Sequence, residues 1–326
     1  MKAADSINMY QNFPAKLMLL GEYAAIVEAS SLNLPFYKYG GSLKYSSPEQ
    51  KNVAETSQKV LREFYEYLLK LEKNTGEQIL NLSQFHQDLD KGIFFDSSIP
   101  NGFGLGSSGA LCAAIYDHYA LKKRDVYFQD QSFQNDLYLK EIFQSMESFF
   151  HQKSSGIDPL VCFFKKPILV KAMSEIESID VKLTSKIVIY LVDSEISRHT
   201  SSYVKFFLEK YKNKSFRKEF ESQYVKNNEI CVSSLIHQHP VEFWESLKEI
   251  SRYQNHYMQM MIPSKFKSIW EEGLESNLFF FKLCGAGGGG YLLAFSLDPV
   301  ETEQKFAEYG FDYHRLEASM FECAAE

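Results

Sequence analysis

The chain has 326 residues, 45% hydrophobic and 24% charged, with a formal net charge of −7. At roughly 150 residues per domain, this length points to about two domains and a core that needs no covalent staple, while the ordinary composition excludes disorder, collagen and coiled coil. The acidic balance offers no general field for nucleic acid or for an anionic membrane surface, so an anionic ligand has to be met locally.

Ala15–Leu20 reads as a strand, Gly21 as a turn, and the apolar stretch ending near Pro35 as a second sheet element. In Val53–Leu71 the apolar positions Val60, Leu61, Phe64, Tyr65, Leu68 and Leu71 recur at helical spacing, which predicts an amphipathic scaffold helix. Ile93–Phe95 is a short strand. It leads into Ile99-Pro-Asn-Gly-Phe-Gly-Leu-Gly-Ser-Ser-Gly-Ala110, where four glycines in eight positions forbid regular structure until the last residues. Ala110–Leu121 then reads as a helix, with Ser107 and Ser108 where capping residues belong.

A further helix is predicted over Asp136–Gln152, with Leu139, Ile142, Phe143, Met146, Phe149 and Phe150 on its buried stripe, followed by a tight turn at Gly156-Ile-Asp158-Pro. The weak pattern of Glu175–Lys182 marks a boundary, so the expected domains are residues 1–180 and 181–326. Lys186–Val192 alternates and is β-branched, which predicts a strand, and Asp193–Thr200 is a polar turn before a helix. The remainder reads as two or three helices, a strand at Leu278–Leu283, the glycine block Gly285–Gly290 and a strand at Tyr291–Ser296. The cysteines Cys112, Cys162, Cys231, Cys284 and Cys323 contain no C-x-x-C pair, so zinc and dithiol chemistry are not expected and reduced thiols in a cytoplasmic setting are. Met1–Tyr10 lacks a basic, then apolar, leader, and no apolar run reaches the ~18 residues of a membrane span.

Chemistry concentrates in three places. A glycine loop feeding a helix exposes backbone N–H groups beside the positive end of the helix dipole, which suits phosphate. Gly104-Leu-Gly-Ser-Ser-Gly109 also satisfies the loose dinucleotide pattern G-x-G-x-x-G, which keeps a Rossmann oxidoreductase open, although the loop lies about a hundred residues into the chain. No G-x-x-x-x-G-K-[ST] occurs, and the hydrolase elbow G-x-S-x-G survives only as an alanine variant at Ser108. Second, Glu147 and His151 are spaced to share a helical face, with Asp158 just beyond, so two carboxylates stand near one locus. A Mg-nucleotide enzyme needs a protein oxygen on the metal and a group that orients or deprotonates the attacking hydroxyl. Taken singly, each residue also has an ordinary explanation: a solvated helix charge, a turn residue, a partner for the helix C-terminus. Third, the block Gly285–Gly290 costs conformational entropy, which is explained by close approach of its backbone to a ligand or to another loop.

Three stretches in order resemble the motifs of the GHMP kinases, the family of galactokinase, homoserine kinase, mevalonate kinase and phosphomevalonate kinase. They are Pro14-Ala-Lys16-Leu-Met-Leu-Leu-Gly-Glu22-Tyr23, the loop Ile99–Ala110, and Lys282-Leu-Cys-Gly-Ala-Gly-Gly-Gly-Gly-Tyr291. Within the family, Glu147-x-x-x-His151-x-x-x-Ser155-Gly156-Ile157-Asp158 and Asp193-Ser-Glu-Ile-Ser-Arg198-His-Thr200 are similar to mevalonate kinases. Tyr23, where many of those have His, and the ending Ser-Ser-Gly-Ala, common in phosphomevalonate kinases, depart from that pattern.

The resemblance implies an α+β, two-domain GHMP kinase fold, with a ribosomal protein S5 domain 2-like N-terminal domain, a ferredoxin-like C-terminal domain and the active site between them. It implies ATP-dependent phosphorylation of the primary hydroxyl of mevalonate. Phosphomevalonate kinase or another small-alcohol kinase is the alternative, and a non-catalytic metabolite sensor on the same scaffold is the alternative of a different class. Carried over by residue, Gly102, Gly104, Leu105, Gly106, Ser107, Ser108 and Gly109 would wrap the ATP phosphates, and Ser108 and Glu147 would hold Mg²⁺. Asp158 would act as base or orienter on the hydroxyl, Lys16 would lower its pKa and neutralise charge, and Glu22, Tyr23, Thr200 and Gly287 would lie on the substrate side. The implied partners are ATP and a small-molecule alcohol, with no nucleic acid, no membrane and a homodimer left open.

Overall fold

The computed structural model describes residues 11–46, 51–121, 133–151, 153–172, 175–181, 187–197 and 200–321. Strand β1 (Phe13–Leu20) is buried along almost its whole length, because its apolar run has no solvent face. It lies beside β2 (Ser31–Tyr45), which passes through Pro35 instead of ending there. Ser31–Asn33 pair with β4 (Ile168–Ala172) and Gly41–Tyr45 with β3 (Ile93–Ser97), so Pro35 falls between these two paired stretches.

By internal contacts the chain forms two units. The first comprises Met1–Lys16, Pro35–Ile99 and Gly106–Lys165, and the second Leu17–Leu34, Pro100–Leu105 and Lys166–Glu326. In the first unit, α1 (Lys51–Thr75) buries Leu61, Phe64 and Leu68 and meets β3, where Phe95 N–H donates to Ser57 Oγ at 2.8 Å. Helix α2 (Leu82–Asp90) is capped by the Asn81 side chain. Helix α3 (Ser107–Tyr119) is apolar all round and buried from Gly109 to Tyr116, as a central helix must be. Helix α4 (Phe133–Glu147) buries Leu139, Ile142, Phe143 and Met146, while Phe149 and Phe150 lie in the turn beyond it and are half-buried.

The predicted turn at Gly156-Ile-Asp158-Pro is instead the start of a helix, α5 (Ile157–Phe164). Gly156 is its left-handed cap, and Pro159 is tolerated because the first helical turn requires no N–H from it. The predicted helix to Gln152 stops at Glu147, and Gln152 itself lies outside the described residues.

In the second unit, β4 and β5 (Glu175–Ser178) form an antiparallel pair, so the weakly patterned stretch contains a strand. Its alternation spans only four residues, too few to register as a period. A four-stranded antiparallel sheet has the order β7 (Phe279–Leu283), β8 (Tyr291–Ser296), β6 (Val188–Asp193), β9 (Tyr313–Leu316). Lys182 and Lys186, at the predicted boundary and strand start, are outside the described residues. Helices are more numerous than expected: α6 (Thr200–Tyr211), α7 (Lys214–Glu219), α8 (Lys226–Ile236), α9 (Pro240–Tyr257), α10 (Lys267–Ser276) and α11 (Pro299–Glu308). A π-helical turn at Phe220–Val225 joins α7 to α8 without a break, which is why the pattern there carries no stop signal. Cys112, Cys162, Cys231 and Cys284 are buried thiols, and Cys323 lies outside the described residues. Among the described residues no helix is long and apolar enough to cross a membrane.

Candidate functional site

Lys16 sits within β1, 4% exposed, and its ammonium lies 2.6 Å from Asp158 Oδ1. Asp158 is the second residue of α5, so its carboxylate is held at the positive end of a helix as well as by the lysine. Gly106, the left-handed cap of α3, lies over this pair: a Cβ there would stand 3.2 Å from Lys16 Cβ and 3.5 Å from Asp158 Oδ2. At Gly109 a Cβ would come within 2.8 Å of the Asp158 carbonyl carbon and 2.9 Å of Pro159 N, so only glycine lets the starts of α3 and α5 touch. Two helix N-termini thereby converge on one lysine.

Ser107 and Ser108 are not caps. They occupy the first turn of α3, and the cap is Gly106. The Ser108 hydroxyl is therefore released from capping and donates to Glu147 Oε1 at 2.9 Å, with His151 Nε2 3.2 Å away. Glu147 is the last residue of α4 and 3% exposed, and its Oε2 accepts from Ser154 Oγ at 2.5 Å. Burial first, and then the negative charge of Asp158, push the Glu147 carboxyl up to about 7, against the hydrogen bonds of Ser154 and Ser108 and the charge of Lys16. His151 is exposed and lies past the end of α4, so the expected shared helical face does not form. Its N–H still donates to Glu147 O at 3.3 Å, and that turn brings the ring to Ser108.

In the glycine loop, Gly102, Gly104 and Gly106 have φ of +79°, +79° and +68°, a left-handed backbone that glycine adopts without strain. Leu105 between them is buried. The block after β7 has positive φ at Gly285, Gly287, Gly288, Gly289 and Gly290. A Cβ would lie 2.6 Å from Met261 O at Gly287, 2.1 Å from the Tyr203 ring at Gly288 and 2.9 Å from Phe103 O at Gly290. Close approach to neighbouring backbone and rings accounts for these glycines.

Two of the residues expected on the substrate side have their polar atoms engaged within the fold. Glu22 is buried, and its carboxylate accepts from Lys282 Nζ at 2.5 Å. Tyr23, at φ +62°, donates its hydroxyl to Ala286 O at 2.6 Å, and its ring lies against Phe207. Thr200 opens α6, with its side chain outside the described residues, as is Arg198. Sequence reasoning assigned no role to Ser154 or Lys282. A lysine inside Phe-Phe-Phe-Lys-Leu was the available signal for the second.

Ser108 and Glu147 together offer two hard oxygen donors 2.9 Å apart. Among the described residues no group of three His, Cys, Asp or Glu side chains forms a metal cage. That donor set suits Mg²⁺, which takes one or two protein oxygens and completes its shell with phosphates and water.

Residues 62–166 match the family model described as GHMP kinases N terminal domain. No curated protein sequence matches the chain. Among solved structures, phosphomevalonate kinase of Streptococcus pneumoniae is similar at a TM-score of 0.62 and 16% identity, covering 94% of this chain and 99% of that one. Mevalonate kinase of L. major, solved with R-mevalonate, gives 0.59 and 12%, covering 94% of each. Galactokinase of Lactococcus lactis, solved with galactose, gives 0.61 and 15%, covering 95% of this chain and 93% of that one.

Proposed function

We propose that this chain, which matches the GHMP kinase N-terminal domain over residues 62–166 and shares the fold of solved GHMP kinases, is a small-molecule kinase that transfers the γ-phosphoryl group of ATP to the primary hydroxyl of mevalonate. One observation carries the reading: the Lys16–Asp158 pair, 2.6 Å apart, lies beneath the start of α3, whose Ser108 is bonded to Glu147. Phosphoryl transfer asks for positioning and for charge stabilisation, and these groups supply both.

In this reading Asp158 accepts a hydrogen bond from the substrate hydroxyl and orients or deprotonates it. Lys16, 2.6 Å from that carboxylate, positions it and neutralises charge as the phosphoryl group moves. The N–H groups of Gly102, Gly104, Leu105, Gly106, Ser107, Ser108 and Gly109 receive the phosphates, and Ser108 and Glu147 hold Mg²⁺. When bound, that ion neutralises phosphate charge in the transition state. Thr200 and Gly287 lie on the substrate side. Glu22 and Tyr23 are assigned there by the same resemblance, and within the fold their polar atoms are engaged by Lys282 and Ala286.

Phosphomevalonate is the second reading. Tyr23, the Ser107-Ser108-Gly109-Ala110 ending and the similarity to the Streptococcus pneumoniae enzyme favour it. Coupled measurement of ADP release with each alcohol decides. Release with mevalonate supports the first reading, release with phosphomevalonate alone replaces it with the second, and nucleotide binding without turnover of any small alcohol replaces both with a sensor.

A further inference from the structure

We propose that Ser154 is a positioning residue that locks Glu147 and ties it to the helix carrying Asp158. Its hydroxyl donates to Glu147 Oε2 at 2.5 Å and accepts the Gly156 N–H at 3.0 Å. Ser108 donates to the other carboxylate oxygen at 2.9 Å, so Glu147 is held at both ends and cannot turn about its last torsion without breaking one of the two bonds. Ser154 is 8% exposed, which leaves water little access to replace it.

The second bond gives the lock its reach. Gly156 is the left-handed cap of α5, at φ +75°, and is pressed onto α4 so closely that a Cβ would lie 2.4 Å from Lys140 O. Two hydrogen bonds through one hydroxyl thus join the last residue of α4 to the cap of α5, and Asp158 follows two residues later. The neighbouring Ser155, which belongs to the motif that resembles mevalonate kinases, is exposed, and its hydroxyl accepts the Ile157 N–H at 3.4 Å. Of the two adjacent serines, the one outside that motif carries the link. Groups that orient a metal-holding carboxylate commonly change metal affinity by about 10–100-fold when removed.

The consequence for metal rests on the phosphotransferase reading, whereas the lock itself does not, and the experiment separates them. Ser154→Ala, Ser154→Thr and Ser155→Ala are compared by hydrogen exchange of the Gly156–Asp158 amides in ligand-free protein, and by Mn²⁺ affinity from electron paramagnetic resonance with a non-hydrolysable ATP analogue. Ser154→Ala should speed exchange and weaken Mn²⁺ binding, each by about tenfold, with a raised KM for Mg-ATP, while Ser154→Thr and Ser155→Ala stay near the parent. Exchange within twofold of the parent in Ser154→Ala overturns the proposal. So does altered exchange with Mn²⁺ affinity unchanged, because the lock then does not serve Glu147. If exchange responds but the parent protein itself binds no Mn²⁺ with the nucleotide analogue, the link to α5 stands and the kinase reading falls. Should Ser154→Ala not fold, Ser154→Cys, a poorer acceptor of similar size, takes its place.

Discussion

The Glu22 carboxylate and the Lys282 ammonium meet at 2.5 Å with side-chain exposures of 0% and 1%, joining the turn after β1 to β7 across 260 residues of sequence. Burial pushes the Glu22 carboxyl up, and the charge of Lys282 pulls it back. Around the pair, Lys282 Nζ also donates to Leu283 O, Tyr224 donates to Glu22 O, Gln254 donates to Tyr224, and Leu283 N–H donates to Gln254 Oε1. The circuit closes around the ion pair through Glu22 Oε1, while Glu22 Oε2 is buried without a hydrogen-bond partner among the described residues.

Removing one partner strands the other charge in the interior. Lys282→Met or Glu22→Gln should therefore destabilise the fold by about 3–5 kcal/mol in urea unfolding, and the joint change Glu22→Leu with Lys282→Met should recover most of that loss. Additive losses in the double variant would show that the pair is not coupled.

At the Lys16–Asp158 pair, Asp158→Asn keeps the shape and removes the charge. It should lower kcat by about 10²–10⁴-fold with nucleotide affinity little changed, and Lys16→Met should fall in the same range. Undiminished turnover in Asp158→Asn would take that carboxylate out of the mechanism.

Glu147 makes the ligand-free fold sensitive to pH. Its carboxyl is raised from 4.5 to about 7, so the folded state holds a proton that the unfolded state has released. The stability this contributes is full below pH 4.5 and is lost as pH rises through about 7. Glu147→Gln should flatten the decline of Tm between pH 5 and 8, read by scanning calorimetry. Divalent-metal affinity has the opposite trend in the parent, falling as pH drops below about 7, because the ion needs the ionised carboxylate.

Gly109→Ala adds one methyl group where backbone stands 2.8 Å away. The starts of α3 and α5 must then separate, at a cost of about 1–3 kcal/mol. Since Ser108 and Asp158 ride on those two helix ends, turnover should fall further than stability alone explains. A thermal melt beside kcat/KM distinguishes the two effects.

Local pattern made much of the chain legible. The stripe of α1, the glycine loop entering α3, and strands β6, β7 and β8 follow from periodicities and turn residues within a dozen positions. Lys16, Ser108, Glu147 and Asp158 could also be singled out, through motifs that each occupy one continuous stretch. Helix α5 was hidden because Gly156 and Pro159 look like turn residues, and their use as cap and first-turn residue depends on α4 beneath them.

What the chain determines by itself is which segments are helix, strand or glycine turn, since those choices are made by neighbours a few positions apart. Only the tertiary structure decided that Ser108 bonds a carboxylate instead of capping its helix, that Ser154 and not Ser155 carries the link to α5, and that Lys282 neutralises Glu22. The reason is separation: partners 39 and 260 residues apart leave no period in the sequence, and a buried charge or hydroxyl declares its role only when the group that satisfies it is brought alongside.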